Sequence, residues 1–432
     1  MLSAVSNGLI KNTQSLINSS KVKNIKNTHT TNKLIERLIR ELFQVLSLTA
    51  EYLSDIPQLR NSTHIRGSIN GNEHNIREFL HDNRYLNSSI YQFIKNSDCI
   101  AIKYHFNFGR EYVLNFYVYD NDHTKSTMSM PRLHKLYDKY ARHVMTLLFF
   151  LEKYRSAKCK SNKLEVVFFM TPFEKTFPDI KSQTLGPEHI NGGYTIPCQH
   201  HSKIFIWRTE EFLKVLIHES IHSMGIDLST MNLDKIHDNI KTLFPMNPEQ
   251  TKFNIGEAYT EFWTEIINIV YYVVLYANSL KSKPTLTSLV KRFDQLYFVE
   301  KVWGFSRSLI ILDHMGLTYA DLVSRDPEKM RHYKEQSNFF SYFIMKMVFM
   351  HDHNKFIELC MKNNADILLV SLENSTNEKI LNKMFLYIKQ HYMNKELMEN
   401  YEILYESIRK GSRAKSYKKF MTSSRMSCID YL

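Results

Sequence analysis

The segment that most constrains this chain is the run from Glu210 to Asp227, EEFLKVLIHESIHSMGID. Its apolar residues recur at helical spacing, which predicts a helix with a strong apolar face. No Pro or Gly interrupts the run until it has passed its second histidine. Inside it, His218, Glu219 and His222 form the pattern HExxH. The pattern is therefore predicted to lie on a regular helix, where two residues four positions apart are on the same face.

That spacing predicts a metal site. Residues four apart lie on one face of a helix, so His218 and His222 can direct both imidazoles at one cation, at the roughly 2.0–2.1 Å of a Zn–N bond. Zinc lowers the pKa of a water toward about 7, and a neighbouring carboxylate can accept the proton. Glu219 is predicted to be this general base. The alternative is a pair of surface histidines on a structural helix.

A third protein ligand is expected, because catalytic zinc usually has three protein ligands and a water. The downstream segment NIGEAYTE places Glu257 and Glu261 four apart on one face of a second predicted helix. Glu257 is the predicted third ligand. Glu261 is predicted to accept a hydrogen bond from a liganding imidazole, which would fix its tautomer. The alternative for Glu257 is an ordinary glutamate that the helix dipole favours in a first turn.

These residues resemble the zincin metallopeptidases, and in particular the glutamate-zincin, or thermolysin-like, branch. That branch has HExxH on one helix, a glutamate on a following helix and an acidic residue four positions later. The matching residues are His218, Glu219, His222, Glu257 and Glu261. The resemblance covers about residues 160–275 and implies a metallopeptidase with one Zn²⁺ ion that hydrolyses peptide bonds with metal-activated water.

Two departures indicate a diverged member of the branch. Gly256 stands where the thermolysin pattern has an asparagine before the third ligand. His218 to Gly225 also fits HExxHxxG, the start of the metzincin pattern, but position 228 is Leu228 and Asp227 is one residue short. The segments KLEVVFFMTPFEK and EEFLKVLIHE are also similar to uncharacterised zincin-like proteins of giant DNA viruses.

The predicted fold class is α+β and zincin-like, with a small mixed sheet packed on the HExxH helix and a mainly helical C-terminal lobe. Alternation predicts a hairpin over Ser97 to Asp120, and an apolar run predicts a buried strand over Lys163 to Thr171. Pro131 can open a long helix. The family places a substrate-pairing edge strand just before the HExxH helix, and Lys203 to Arg208 (KIFIWR) occupies that place.

The predicted domains follow from these elements. Residues 1–60 are expected to form an N-terminal helical extension with a polar, frayed start. Residues 61–215 are expected to form the α/β lobe with the substrate-edge strand. Residues 216–432 are expected to form the helical lobe that carries HExxH and the third ligand.

Zincins also supply a Tyr or His from their C-terminal half to stabilise the oxyanion that forms on the scissile carbonyl. Tyr342, in the segment FFSYFIMK, is the predicted catalytic residue of this kind. His332 and His314 are alternatives. The alternative for Tyr342 itself is core packing among the neighbouring aromatic residues.

The five cysteines are far apart in sequence and form no CxxC. Scattered single thiols are typical of a reducing compartment, and the N-terminus has no continuous apolar region of the secretory kind. These features predict an intracellular, cytoplasmic protein without a secretion signal, and they leave association with a virion open. The apolar run Ile266 to Ala277 is too short to span a membrane.

The net charge of +12 permits binding to nucleic acid or another acidic partner but does not require it. The basic run Arg409 to Lys419 is predicted to be a solvated, partly flexible tail. A peptide or protein substrate is the expected partner of a peptidase. Two alternatives remain: a catalytically inactive zincin-fold binding or virion structural protein, and a basic nucleic-acid-associated protein with an incidental HExxH.

Overall fold

In the computed structural model most of the described residues are helical and six strands form one mixed sheet, which confirms a mixed α and β fold. The described residues are 2–65, 85–119, 128–181, 183–247, 249–363, 374–411 and 417–431. Residues 412–416, inside the predicted basic tail, lie outside this set.

The sheet has six strands in the order β1-β2-β3-β4-β6-β5. Their bounds are β1 Arg60–Ile65, β2 Cys99–Asn107, β3 Glu111–Tyr119, β4 Lys163–Met170, β5 Gly193–Thr195 and β6 His201–Ile206. The pairs β3·β4 and β4·β6 are parallel, whereas the others are antiparallel. The predicted hairpin is confirmed as β2 and β3, and the predicted buried strand as β4.

Helices precede, separate and follow the strands along the chain, and they form most of its C-terminal half. The first five are α1 Ala4–Ser20, α2 His29–Tyr52, α3 Ser88–Asn96, α4 Met130–Glu152 and α5 Pro187–Ile190. Then come α6 Phe212–Ser223, α7 Asp234–Leu243, α8 Ile255–Ser279, α9 Leu286–His314, α10 Tyr319–Val323 and α11 Pro327–Met330. A π-helix, Phe340–Met345, precedes α12 Lys346–His351, α13 His353–Asn363, α14 Asn374–His391, α15 Lys395–Gly411 and α16 Lys418–Thr422. Among the described residues, none of these helices is both long and apolar enough to cross a membrane.

Contacts divide the chain into two compact units. The sheet unit comprises Glu41–Lys175 and Asn191–Ile226. In it, α6 packs against β5, β6 and α4. The helical unit comprises Met1–Arg40, Thr176–Ile190 and Asp227–Leu432, and its longest helices, α8 and α9, pack on each other and on the π-helix.

The predicted edge strand is wrong in one respect. The segment KIFIWR forms β6, but β6 lies inside the sheet, between β4 and β5. Strand β5 is the edge strand on that side, and Gly193 pairs antiparallel with Ile206. Periodicity predicted that KIFIWR is extended, but strand order depends on contacts that are distant in sequence.

Both ends of the described chain pack in the helical unit. In α1, Leu9 and Leu16 are buried, so a frayed start is wrong for this segment. Near the other end, residues 423–431 are buried in the helical unit. The Glu300 carboxylate accepts the backbone N–H groups of Cys428 at 3.1 Å and Ile429 at 2.8 Å. The residues that follow the basic run are therefore packed in the helical unit, whereas residues 412–416 of the run itself lie outside the described residues.

The expectation of five single thiols is also wrong, because Cys159 and Cys198 form a disulfide with a Cα–Cα distance of 4.4 Å. This removes the cysteine argument for a reducing compartment. The disulfide lies at the end of α6, since the Cys198 N–H donates to the Ser223 carbonyl at 3.3 Å. It also faces Gly225, which turns the chain out of α6 with a φ of 61°. A Cβ at that glycine would lie 2.5 Å from Cys159 Sγ and 2.9 Å from Cys198 Sγ.

Gly225 should therefore tolerate no side chain. The substitution Gly225→Ala has two costs. A residue with a side chain is strained in the left-handed conformation, and the new methyl group would clash with two sulfur atoms. We expect it to lower the free energy of unfolding by about 2–4 kcal/mol in chemical denaturation.

Gly316 is a matched control. It follows the end of α9 with a φ of 71°. As at Gly225, the N–H group of the next residue donates to the helix carbonyl five positions earlier. A Cβ at Gly316, however, would meet nothing within 4 Å. Gly316→Ala should cost only about 1–2 kcal/mol. Equal losses at the two glycines would mean that the disulfide does not restrict the end of α6.

Candidate metal centre

A buried ion pair anchors the start of α6. The backbone of Glu211 is left-handed, with a φ of 57°, and its carboxylate lies 3.0 Å from Lys175 Nζ. Both side chains are almost fully buried. Burial lowers the pKa of Lys175, while the adjacent Glu211 carboxylate opposes that shift. Removing one partner of such a pair leaves a buried uncompensated charge, so the pair fixes where the helix begins.

The two histidines of HExxH converge as a shared cation requires. The Nε2 atoms of His218 and His222 lie 3.1 Å apart. Two nitrogens bound tetrahedrally at zinc distances lie about 3.3–3.4 Å apart, so little movement would bring both onto one ion. His218 is buried and His222 is half-buried.

The structure brings Glu257 together with these histidines. One ligand atom from each of His218, His222 and Glu257 lies within 4.8 Å of the other two. Glu257 lies in the first turn of α8, which Asn254 caps by accepting the Gly256 N–H at 2.9 Å. Because side chains on an α-helix tilt toward its N-terminus, a glutamate in the first turn can extend its carboxylate past the start of the helix. The group is compatible with a metal site, and coordination by these residues stays a prediction.

Glu219 lies on α6 beside the histidines and is 8% exposed. The backbone of Gly193 approaches its side chain closely. A Cβ at Gly193 would lie 2.8 Å from both Cγ and Oε1 of Glu219, and 2.7 Å from Val215 Cγ1. The edge strand β5 therefore passes directly against the predicted general base, which explains the need for glycine there.

Glu261 takes part in a buried charge network on α8. Lys346 Nζ lies 3.4 Å from Glu261 Oε1 and 3.2 Å from Glu265 Oε1. Burial opposes ionisation of Lys346, but the carboxylates of Glu265 and Glu261 outweigh it and raise its pKa. Lys346 thus remains a cation between the two glutamates. The predicted hydrogen bond from an imidazole to Glu261 stays a prediction.

Tyr342 lies at the predicted third ligand. Its hydroxyl donates to Glu257 Oε2 at 2.9 Å, and the residue is 9% exposed. The alternatives for an oxyanion residue lie elsewhere in the helical unit: His314 Nε2 lies 2.8 Å from the Gln183 carbonyl, and His332 is exposed. The sequence singled out Tyr342 but not its π-helix, which has no signal in apolar periodicity.

The residues near the metzincin position and the two histidines before it in the sequence make ordinary structural contacts. Asp227, the near miss to a metzincin ligand, accepts hydrogen bonds from the Ser229 N–H at 3.1 Å and the Thr260 hydroxyl at 3.4 Å. Leu228 is fully buried. His200 and His201, at the start of β6, are exposed, and their rings pack against each other.

Comparisons with known proteins show one short likeness. Over 80 residues the chain is 30% identical to an uncharacterised protein of Acanthamoeba polyphaga mimivirus. The match covers 18% of this chain and 19% of that protein, so it spans about a fifth of the relative's length. No protein-family model matches the chain, and no solved structure matches it.

The close approach of Gly193 to Glu219 can be tested by a double-mutant cycle. Gly193→Ala should lower the free energy of unfolding by about 1–3 kcal/mol through overpacking. Glu219→Ala removes two of the three close contacts. In that background, Gly193→Ala should lower the free energy of unfolding by about 0.5–3 kcal/mol less than in the wild type.

Gly192→Ala is the matched control, because its Cβ would meet Val215 and Lys175 rather than Glu219. Its cost should be independent of Glu219→Ala. Additive losses for Gly193→Ala and Glu219→Ala would refute direct contact between the edge strand and the predicted base.

Proposed function

We propose that the protein is a zinc-dependent metallohydrolase, specifically a peptidase of a diverged zincin type. The observation that carries the proposal is the group of His218, His222 and Glu257, whose ligand atoms lie within 4.8 Å of one another, with Glu219 on the same helix as the histidines. Two imidazoles and one carboxylate form a donor set of catalytic zinc. Carboxylate and imidazole donors also suit Fe²⁺, and the position of Glu219 favours hydrolysis over oxidation.

His218, His222 and Glu257 would hold the ion, and Glu219 would accept and then donate the proton. A bound Zn²⁺ ion supplies Lewis acidity, which acidifies water and polarises a carbonyl oxygen. Glu219 accepts the proton of the attacking water and returns it to the amine that leaves. Because Glu219 is 8% exposed and packs against the Gly193 backbone, its carboxylate has few alternative orientations. A restricted base suits this role.

The edge strand offers a way to bind an extended peptide. Within the described part of the sheet, β5 is paired on one side only, by β6. A peptide can add to such an edge through backbone hydrogen bonds, with little dependence on its side chains. Since Gly193 in β5 adjoins Glu219, a peptide added there would pass close to the base. This supports a peptide substrate over a small molecule.

Cleavage of a peptide library by the zinc-loaded protein tests the proposal. The wild type should cleave, and Glu219→Gln should lower kcat by about 10²- to 10⁴-fold while its zinc content is unchanged. Glu249→Gln makes the same change of charge at an exposed residue and should cleave at the wild-type rate.

Other results select the alternatives. Stoichiometric zinc without cleavage of any peptide would contradict the peptidase and favour an inactive zincin-fold binding protein. Cleavage that persists in Glu219→Gln would contradict the assigned base. Absence of zinc together with salt-sensitive binding to DNA or RNA would favour the nucleic-acid alternative.

A further inference from the structure

The π-helix Phe340–Met345 contacts the part of α8 that carries Glu257. Ser341 Oγ accepts the Asn254 N–H at 3.0 Å, at the cap of α8. The next residue, Tyr342, donates its hydroxyl to Glu257 Oε2 at 2.9 Å. Two consecutive residues therefore bind the cap and the first turn of the same helix.

The contact continues along α8. Lys346, directly after the π-helix, lies 3.2 Å from Glu265 and 3.4 Å from Glu261. The segment from Ser341 to Lys346 thus binds carboxylates on three successive turns of α8, of which Glu257 is the first.

The unusual helix type explains how one segment makes these contacts. Ser341 and Lys346 are five residues apart, and on an α-helix such residues point about 140° away from each other. In a π-helix the hydrogen bonds run from i to i+5, so residues five apart lie nearly above each other. The π-helix therefore turns Ser341, Tyr342 and Lys346 toward α8 together. π-Helical turns are frequent at functional sites.

A buried glutamate fixes the start of this turn. Glu335 Oε2 accepts the Phe340 N–H at 2.9 Å, and Glu335 is 2% exposed. The aromatic ring of Tyr333 packs against Phe340, with ring centroids 5.7 Å apart. These contacts hold the π-helix in place independently of any ion.

From this arrangement we infer that Tyr342 is a positioning residue: its hydroxyl holds the Glu257 carboxylate in the orientation that binds the metal ion, and the π-helix aims it. The inference rests on the proposed metal site. It differs from the predicted oxyanion role, since a tyrosine that holds a ligand acts on metal affinity before any substrate binds. Loss of a hydrogen bond to a metal ligand typically costs 10–100-fold in affinity.

The test is the zinc dissociation constant, measured by competition with a chromophoric chelator. Tyr342→Phe keeps the buried ring and removes only the hydroxyl, so we expect zinc to bind about 10- to 100-fold more weakly. Tyr119→Phe, in β3, is the matched control. Among the described residues its buried hydroxyl has no hydrogen-bond partner, so its removal should leave zinc affinity unchanged.

A thermodynamic cycle with Glu257→Ala separates positioning from general loss of structure. If Tyr342 acts through Glu257, Tyr342→Phe should not weaken zinc binding further in the Glu257→Ala background. The visible spectrum of the Co²⁺-loaded protein should also change in Tyr342→Phe, because the carboxylate ligand is reoriented. An additive loss, or an unchanged spectrum with weakened binding, would overturn the inference and indicate structural damage.

Two other outcomes distinguish failure of this inference from failure of the proposed function. Unchanged zinc affinity in Tyr342→Phe with a lowered kcat would overturn positioning and favour the oxyanion role, while the proposed function would stand. If the wild type binds no zinc, the proposed function and this inference both fail.

Discussion

The structure depends on the burial of α6. Eleven of its twelve residues are buried, including His218, Glu219 and Lys214. A helix that is enclosed on all sides ordinarily carries apolar residues, because an ionisable group loses its hydration there. Such groups persist inside a protein when partners compensate them, and clusters of them are typical of functional sites. The two imidazoles, with Nε2 atoms 3.1 Å apart, are partners of this kind, and their spacing fits the shared cation that we propose.

The surrounding elements restrict α6 at both ends and along its length. The Lys175–Glu211 ion pair fixes its start, and the Cys159–Cys198 disulfide with Gly225 fixes its end. For the loop of 39 residues that this disulfide closes, chain entropy would contribute about 4 kcal/mol. A rigid helix matters here, because metal coordination tolerates errors of only a few tenths of an ångström.

Sequence patterns predicted local structure well. The HExxH helix, the hairpin and the buried strand all follow from spacing over fewer than about twenty-five residues. The grouping of Glu257 with the histidines was also predicted, from the expected number of zinc ligands and the resemblance to zincins. Its role as a ligand remains to be measured.

Features that depend on distant contacts could not be predicted in the same way. The edge position of β5 follows from strand order, and the disulfide joins residues that no local pattern connects. The burial of α1 was missed because its sequence is polar overall, although Leu9 and Leu16 lie on one face. The π-helix was missed because apolar periodicity does not distinguish it from an α-helix. Each of these features is set by packing rather than by local preference.

The most direct test of the central claim is the metal content of the purified protein. Wild type and His201→Ala, which changes an exposed histidine, should each carry about one zinc ion per chain. His222→Ala and Glu257→Ala should carry much less. No zinc in the wild type after dialysis against zinc, or undiminished zinc in both ligand variants, would contradict the proposed metal centre.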